Sequence, residues 1–301
     1  MDSRIYYNIY IYMKNYNSRC YRMDNITYDT GLLDNIIDAV YVLLMENSDR
    51  TENVYNQLND YKLSKNTYIQ INKGYKKCDK KLMKNQSNYD LVDSNYNIWL
   101  HANENNYNNI LILEDDFIFD NRIEDANVLK DLDDFINNND FDIYSIGSHP
   151  FLFYPSLFTK HPRIIRSGCA HSIILTKNIR SILIDRYNND NTFLEKSNGH
   201  MDSIYHHGNY KYHIYYKPLC YQIFPETDNQ NTWDEGLDIF SRLCLSLHLN
   251  FMKAIQLDKY PQPGFDIYYL CSYIWNTILY LTIIYIIYII YKNTICLKIY
   301  N

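Results

Sequence analysis

Three consecutive carboxylates, Glu114, Asp115 and Asp116, close the apolar run Ile110-Leu111-Ile112-Leu113 and are followed at once by Phe117. Acidic oxygens this close together suit a hard divalent cation. Mg²⁺ or Mn²⁺ takes one or two carboxylates plus the oxygens of a bound diphosphate, and it neutralises charge on a phosphate leaving group. Side chains alternate across an extended segment, so Glu114 and Asp116 are expected to point one way and Asp115 the other. The alternative is a solvated acidic turn that caps the next helix. Repulsion among three acids beside Leu113 and Phe117 is costly unless a cation relieves it, which favours the metal reading with Glu114 and Asp116 as ligands.

The unbroken apolar run predicts a strand buried on both faces of a largely parallel sheet, and open α/β sheets bind ligands at the carboxyl ends of such strands. Ala39 to Met45 has the same character. It is followed by the polar loop Glu46-Asn47-Ser48-Asp49-Arg50 and a predicted helix from Thr51 to Tyr61, the opening of a nucleotide-binding unit. Thr67 to Ile71 reads as the next strand. Tyr89 to Asn103 places Val92, Tyr96, Trp99 and Leu100 on one helical face, and Ile123 to Asn137 does the same with Leu129, Leu132 and Ile136. Phe141 to Ile146 is a further buried strand. Strands and helices alternating in this way predict a doubly wound, mostly parallel sheet flanked by helices. His149 to Arg166 reads as a loop over a cleft, Lys177 to Arg186 as a helix, and Tyr212 to Tyr216 and Leu219 to Phe224 as late strands. Phe240, Leu243, Cys244, Leu247 and Phe251 share a face of a helix expected to close the domain.

The 301 residues are 47% apolar, enough for a substantial core, and a net charge of −6 argues against sequence-independent binding to nucleic acid. Acids concentrate between Glu114 and Asp142, eleven against two bases. Seven scattered cysteines show no zinc spacing and read as reduced thiols. Residues 1–35 form a Tyr/Asn-rich lead without a secretory signal, since Ile5 to Met13 is too short and polar. The α/β domain is expected over residues 36–260. After Pro261-Gln262-Pro263-Gly264, Ile267 to Tyr291 runs 25 residues without a charge, a predicted transmembrane helix with a short tail at 292–301. A buried or β-like segment is the alternative. A single C-terminal span with no signal ahead of it predicts a membrane anchor with the domain in the cytosol.

Ile110-Leu111-Ile112-Leu113-Glu114-Asp115-Asp116 resembles the central motif of family 25 glycosyltransferases, the lipopolysaccharide and collagen galactosyltransferases. Tyr41 to Arg50 resembles their first strand and loop, and Phe141-Asp142-Ile143-Tyr144-Ser145-Ile146-Gly147 the strand after the acidic motif. The Tyr/Asn-rich style, with Gly74-Tyr75-Lys76-Lys77-Cys78, is similar to members encoded by giant DNA viruses. The resemblance runs from about residue 38 to 235. It implies a GT-A-like fold, a UDP-sugar donor, a Mn²⁺-like ion and inversion at the sugar. It also implies that Glu114 and Asp116 hold the metal, that Asp115 supports them or touches the donor ribose, and that Asn47 and Arg50 lie at the nucleotide. The first loop reads Met-Glu-Asn where Asn-Leu-Asp is commoner.

Inversion needs a base for the acceptor hydroxyl, and Asp202, three residues after Gly199, is the candidate; helix capping is its alternative role. His171 is a candidate for the acceptor cleft, whereas His206, His207 and His213 are weaker candidates for an additional metal ligand. These features predict a membrane-anchored hexosyltransferase that moves galactose or glucose from a UDP-sugar to a glycan, protein or lipid hydroxyl. A metal-dependent phosphoryl-transfer or hydrolase domain, and an inactive tethered protein retaining the fold, are the alternatives.

Overall fold

The computed structural model describes residues 19–155, 159–223, 239–257 and 259–299. Strands β1 (Tyr21–Thr27), β2 (Ala39–Met45), β3 (Asn66–Asn72), β4 (Asn109–Glu114), β6 (Ile143–Ser145), β9 (Ser172–Thr176) and β10 (Tyr212–Ile214) form one seven-stranded sheet in the order β1-β3-β2-β4-β9-β6-β10. Two short antiparallel pairs complete the strands: β5 (Phe117–Phe119) with β11 (Cys220–Gln222), and β7 (His149–Phe153) with β8 (Ile164–Gly168).

The unbroken apolar runs are explained by cores on both faces of this sheet. In β2, Ala39, Tyr41 and Leu43 enter one core cluster while Val40, Val42 and Leu44 enter the other; in β4, Ile110 and Ile112 oppose Leu111 and Leu113 in the same way. Helix α1 (Thr51–Tyr61) and helix α3 (Ala126–Asn138) cover one face with Val54, Leu58, Leu132 and Ile136. Helix α2 (Ser87–Glu104) covers the other with Val92, Tyr96 and Trp99, alongside helix α4 (Lys177–Asn189). Two short helices follow α4, α5 (Asn191–Ser197) and α6 (Met201–His206). Helices α7 (Ile239–Ala254) and α8 (Pro261–Ile299) end the chain.

Several expectations are corrected. The sheet is mostly parallel, with β2, β3, β4, β6 and β10 running one way, but it is not uniformly so: β9 runs antiparallel to both β4 and β6, and β1 antiparallel to β3. A continuous apolar run marks double-sided burial but carries no information on strand direction. Part of the expected N-terminal lead, Tyr21–Thr27, forms the edge strand β1; residues 1–18 lie outside the described residues. The expected loop at 149–166 contains the β7 and β8 hairpin strands, whose alternation is obscured by Pro150 and by register irregularities after it. Helix α7 forms as predicted, but its shared face does not close the domain: Leu243 is 56% and Leu247 61% exposed. The side chains of Phe240 and Cys244, like Phe224 at the end of a predicted strand, lie outside the described residues.

Helix α8 is long and apolar enough to cross a membrane. Its first part is nevertheless built into the domain. Ser272 donates to the Pro150 carbonyl, and Asn276 accepts from Phe153 N–H at 3.0 Å and donates to the Phe151 carbonyl at 3.1 Å, so β7 satisfies both polar side chains. Phe265, Tyr268 and Tyr269 are buried beside them. From Leu281 to Asn293 every residue is exposed.

Contrary to the expectation of reduced thiols from their spacing, the cysteines are not all reduced. Cys20 and Cys78 form a disulfide across 58 positions, tying the residue before β1 to the segment that follows β3. Among the described residues, Cys169, Cys220 and Cys271 are free thiols. Such bonds are rare in reducing compartments, so the cysteines no longer support a cytosolic domain. Beside this bond lies a buried polar cluster. Lys80 donates to Asp90 and, at 2.7 Å each, to Asn72 and the Tyr21 hydroxyl, while Tyr21 donates to Asp93 at 2.5 Å. Cys78→Ser is expected to lower unfolding free energy by about 4 kcal/mol in the loop-entropy account, read from urea denaturation. Alkylation of native protein followed by mass spectrometry should leave Cys20 and Cys78 unmodified.

Candidate active site

The acidic residues sit where β4 ends. Leu113 pairs with Ser172 of β9, Leu43 of β2 pairs with Glu114, and the Glu114 N–H donates to the His171 carbonyl at 3.0 Å. Asp115 and Asp116 then form a turn into β5, so the strict alternation expected of an extended segment does not extend through them. Asp116 is nonetheless directed inward. It is 5% exposed, its Oδ2 accepts from Gln222 Nε2 at 3.0 Å, and its Oδ1 is buried without a hydrogen-bond partner.

Asp115 faces the loop after β2. Its Oδ1 pairs with the Arg50 guanidinium at 2.5 Å and its Oδ2 accepts from Ser48 Oγ at 3.2 Å; Arg50 lies 3.9 Å from Asp116. Asn47 holds the left-handed conformation of this loop at φ 63°, a position that Asn tolerates better than most residues. The predicted nucleotide residues are thus adjacent, with Arg50 clamped to Asp115.

Asp202 arrives from α6. Its Oδ2 accepts from the Cys169 N–H at 3.1 Å, which ties it to the segment between β8 and β9. Gly199 is set by the turn rather than by a need for open space. At φ +70° it follows α5, and a Cβ there would meet the Tyr89 ring at 2.9 Å. A cleft of about 560 Å³ brings Asn47, Arg50, Glu114, Asp115, Asp116 and Asp202 together. The same cleft is lined by Lys73, Gly74, Tyr75, Lys76 and Lys77, from the segment tied down by the disulfide, with Asn88 and Asp90 of α2.

His171 does not line this cleft. It is fully buried behind the wall, with Nε2 3.3 Å from the Cys220 carbonyl and its ring beside Phe265. His206 accepts from the Ser167 N–H at 3.0 Å, and His213 Nδ1 lies 3.1 Å from the His161 carbonyl. Both are engaged by backbone. Among the described residues no group of three or more His, Cys, Asp or Glu side chains is arranged to hold a cation by itself. A cation here would need ligand oxygens in addition to Glu114 and Asp116, and the unpartnered Asp116 Oδ1 is one atom it would satisfy.

The electrostatics follow from burial. Glu114 is held well above the usual carboxylate range by desolvation, then by the charges of Asp116, Asp202 and Asp115, with Arg50 opposing. Asp116 is raised to about 6 by burial, to which the Asp115 charge adds, against the hydrogen bond from Gln222 and the Arg50 charge. Asp202 is likewise raised to about 6 by burial, against backbone N–H groups of Cys169 and Ala170 that favour its charged form.

Gln222, Ser48 and the Cys169 backbone were not foreseeable as site components. Gln222 lies 106 positions from Asp116, and only the pairing of β11 with β5 brings them together.

No protein-family model matches this chain, and no curated protein matches it. Two solved structures to which it is similar are A197 from STIV and a glycosyltransferase involved in the glycosylation of the major capsid of PBCV-1. The first has a TM-score of 0.38 and 8% identity over 64% of this chain and 87% of that one. The second has a TM-score of 0.35 and 10% identity over 64% of this chain and 96% of that one. Similarity at this level specifies neither the site nor the reaction.

A folded-state pKa raised above the unfolded value means that stability falls as pH rises through the window between them, here from about 4 to about 6. The buried histidines His149, His161, His171, His206 and His248 act oppositely, because burial lowers their pKa and stability is lost as pH falls below about 6.5. Their contribution is common to wild type and Asp116→Asn, so it cancels in the difference. Metal-free Asp116→Asn is expected to gain stability relative to wild type between pH 4.5 and 7.5, by at most about 3 kcal/mol, measured by urea unfolding. A difference independent of pH would contradict the site electrostatics.

Proposed function

We propose that this chain is a metal-dependent, inverting glycosyltransferase of GT-A type that moves a hexose from a UDP-sugar to an acceptor hydroxyl. The observation that carries this reading is the composition of one cleft. Glu114, Asp116 and Asp202 line it together with Lys73, Lys76 and Lys77. Carboxylates and lysines lining one cleft suit a diphosphate that meets lysines and shares a cation with carboxylates. The family 25 resemblance of the Ile110 to Asp116 motif points to the same chemistry.

In this account Glu114 and Asp116 would hold Mn²⁺ or Mg²⁺, which would supply neutralisation of the charge that builds on the departing nucleotide. Gln222 fixes Asp116 through Oδ2 and leaves Oδ1 without a protein partner, available as a ligand atom. Arg50 would face the donor diphosphate, and Asp115 would support the metal ligands or meet the ribose. Asp202 takes the proton of the acceptor hydroxyl as its oxygen attacks the anomeric carbon, and the bond from that carbon to the nucleotide oxygen breaks on the opposite face. A carboxylate raised to about 6 suits this role near neutral pH, because it is mostly ionised there yet more basic than an ordinary aspartate.

Purified full-length protein is expected to release UDP from one member of a UDP-sugar panel when Mn²⁺ is added. Asp116→Asn should lose that release. Asp202→Asn should retain UDP binding while turnover falls by roughly 10²- to 10⁴-fold. Absence of UDP release from every donor, together with absence of UDP binding in Mn²⁺, would reduce the protein to an inactive carrier of the fold.

A further inference from the structure

We propose that α7 is an interfacial membrane helix, lying along an anionic bilayer surface with its exposed apolar stripe at the acyl boundary. The proposal concerns how the domain is seated and does not depend on the transferase reading. Ile239, Leu243, Leu247 and Phe251 recur every four residues, which puts them on one face of a helix, and they are 89%, 56%, 61% and 36% exposed. The buried side of α7 is separate and belongs to the domain. Met252 is 5% exposed in the main core cluster, and the His248 ring packs 4.7 Å from Phe151 and 5.7 Å from Tyr268. The helix is thus fixed to the protein on one side and leaves an apolar stripe uncovered among the described residues.

Two observations identify the occupant as lipid. The first is charge. In a chain of net charge −6, α7 carries Arg242 and Lys253, both exposed, and no acid. At 100° per residue the two bases fall on one flank of the stripe, where their stems can reach anionic headgroups while the stripe lies deeper. A helix whose own charges are both basic, with a separate apolar face, reads as membrane-surface binding.

The second is continuity with α8. Phe251 at the end of the stripe packs 5.9 Å from Tyr268 of α8. The face of α8 turned away from β7 is itself apolar and uncovered among the described residues, with Leu270, Ile274 and Ile278 each more than half exposed. Beyond Tyr280, which still donates to the Phe153 carbonyl, the helix is exposed and apolar on all sides to Tyr291. A helix apolar all round belongs in a low-dielectric surround. The bilayer that receives α8 would therefore meet α7 at its surface. The first part of the expected span, from Ile267, then serves as the joint between domain and membrane.

The test uses the full-length protein in vesicles of phosphatidylcholine with phosphatidylglycerol, with Leu247→Trp on the stripe and Ser246→Trp on the basic flank. Wild-type emission from the three native tryptophans is subtracted. Leu247→Trp is expected to shift to the blue on reconstitution, to lose most of its emission to lipids brominated on their acyl chains, and to resist aqueous iodide. Ser246→Trp should show the weaker bromolipid and stronger iodide response. Leu243→Trp repeats the stripe measurement should Leu247→Trp fail to fold. Emission from Leu247→Trp that stays water-like and iodide-sensitive would overturn the proposal. So would emission shielded from iodide and bromolipid alike, which would mean that protein, a second copy or another part of this chain, covers the stripe.

Discussion

The constraint on which the site depends is the confinement of like charges. β4 is hydrogen-bonded on both sides, by β2 and by β9, and both of its faces are filled with Ile and Leu. Its end cannot splay to let Glu114 and Asp116 separate into solvent. Asp202 is tied to the same place by the Cys169 backbone, and its charge raises the pKa of Glu114. An arrangement this unfavourable to the charged state is a typical signature of a functional site, since neither packing nor solubility requires it. The remainder of the cleft can be understood as its counterweight: Arg50 clamps Asp115, and three lysines from the segment after β3 line the same cleft.

That segment has little regular structure of its own and is positioned by covalent and polar ties. The Cys20 to Cys78 bond fixes one end of it to the N-terminal edge of the sheet, and Lys80 is buried against Asp90 of α2. Gly74 donates its N–H to Asn72 at 2.8 Å, and the Tyr75 N–H donates to Asp90 Oδ2 at 3.0 Å, so the chain enters the cleft wall already fixed. Removing one partner of a buried, hydrogen-bonded ion pair leaves an uncompensated charge, a larger loss than the pair's net contribution. The polar cluster is therefore better understood as fixing the shape of the wall than as a source of stability.

The sequence conveyed those features whose signal is local. Continuous apolar runs identified β2 and β4, spacing identified α2 and α3, and the clustering of three acids marked the end of β4 as the candidate site. Features that depend on distant pairing were not visible. The antiparallel sense of β9 leaves no trace in its composition, and Gln222 acquires its contact with Asp116 only through the β5 and β11 pair. The Cys20 to Cys78 bond joins residues 58 positions apart in a chain whose cysteines show no framework spacing. His171 was misplaced for a simple geometric reason: one residue beyond the cleft-lining Cys169 and Ala170, it turns into the core. Ser272 and Asn276, which fasten α8 to β7, carry no local signal of that role within the apolar run.

The central claim is that the proton-retaining cluster at the end of β4 is a cation site. The most direct measurement is calorimetric titration of Mn²⁺ into wild type and Asp116→Asn near pH 6, in buffers of different ionisation enthalpy, with and without UDP. Carboxylates held partly protonated must release protons when a metal replaces them. The account predicts Mn²⁺ binding that is tightened by UDP, accompanied in wild type by proton release that falls in the variant. Binding without proton release, or identical binding by the two proteins, would contradict it.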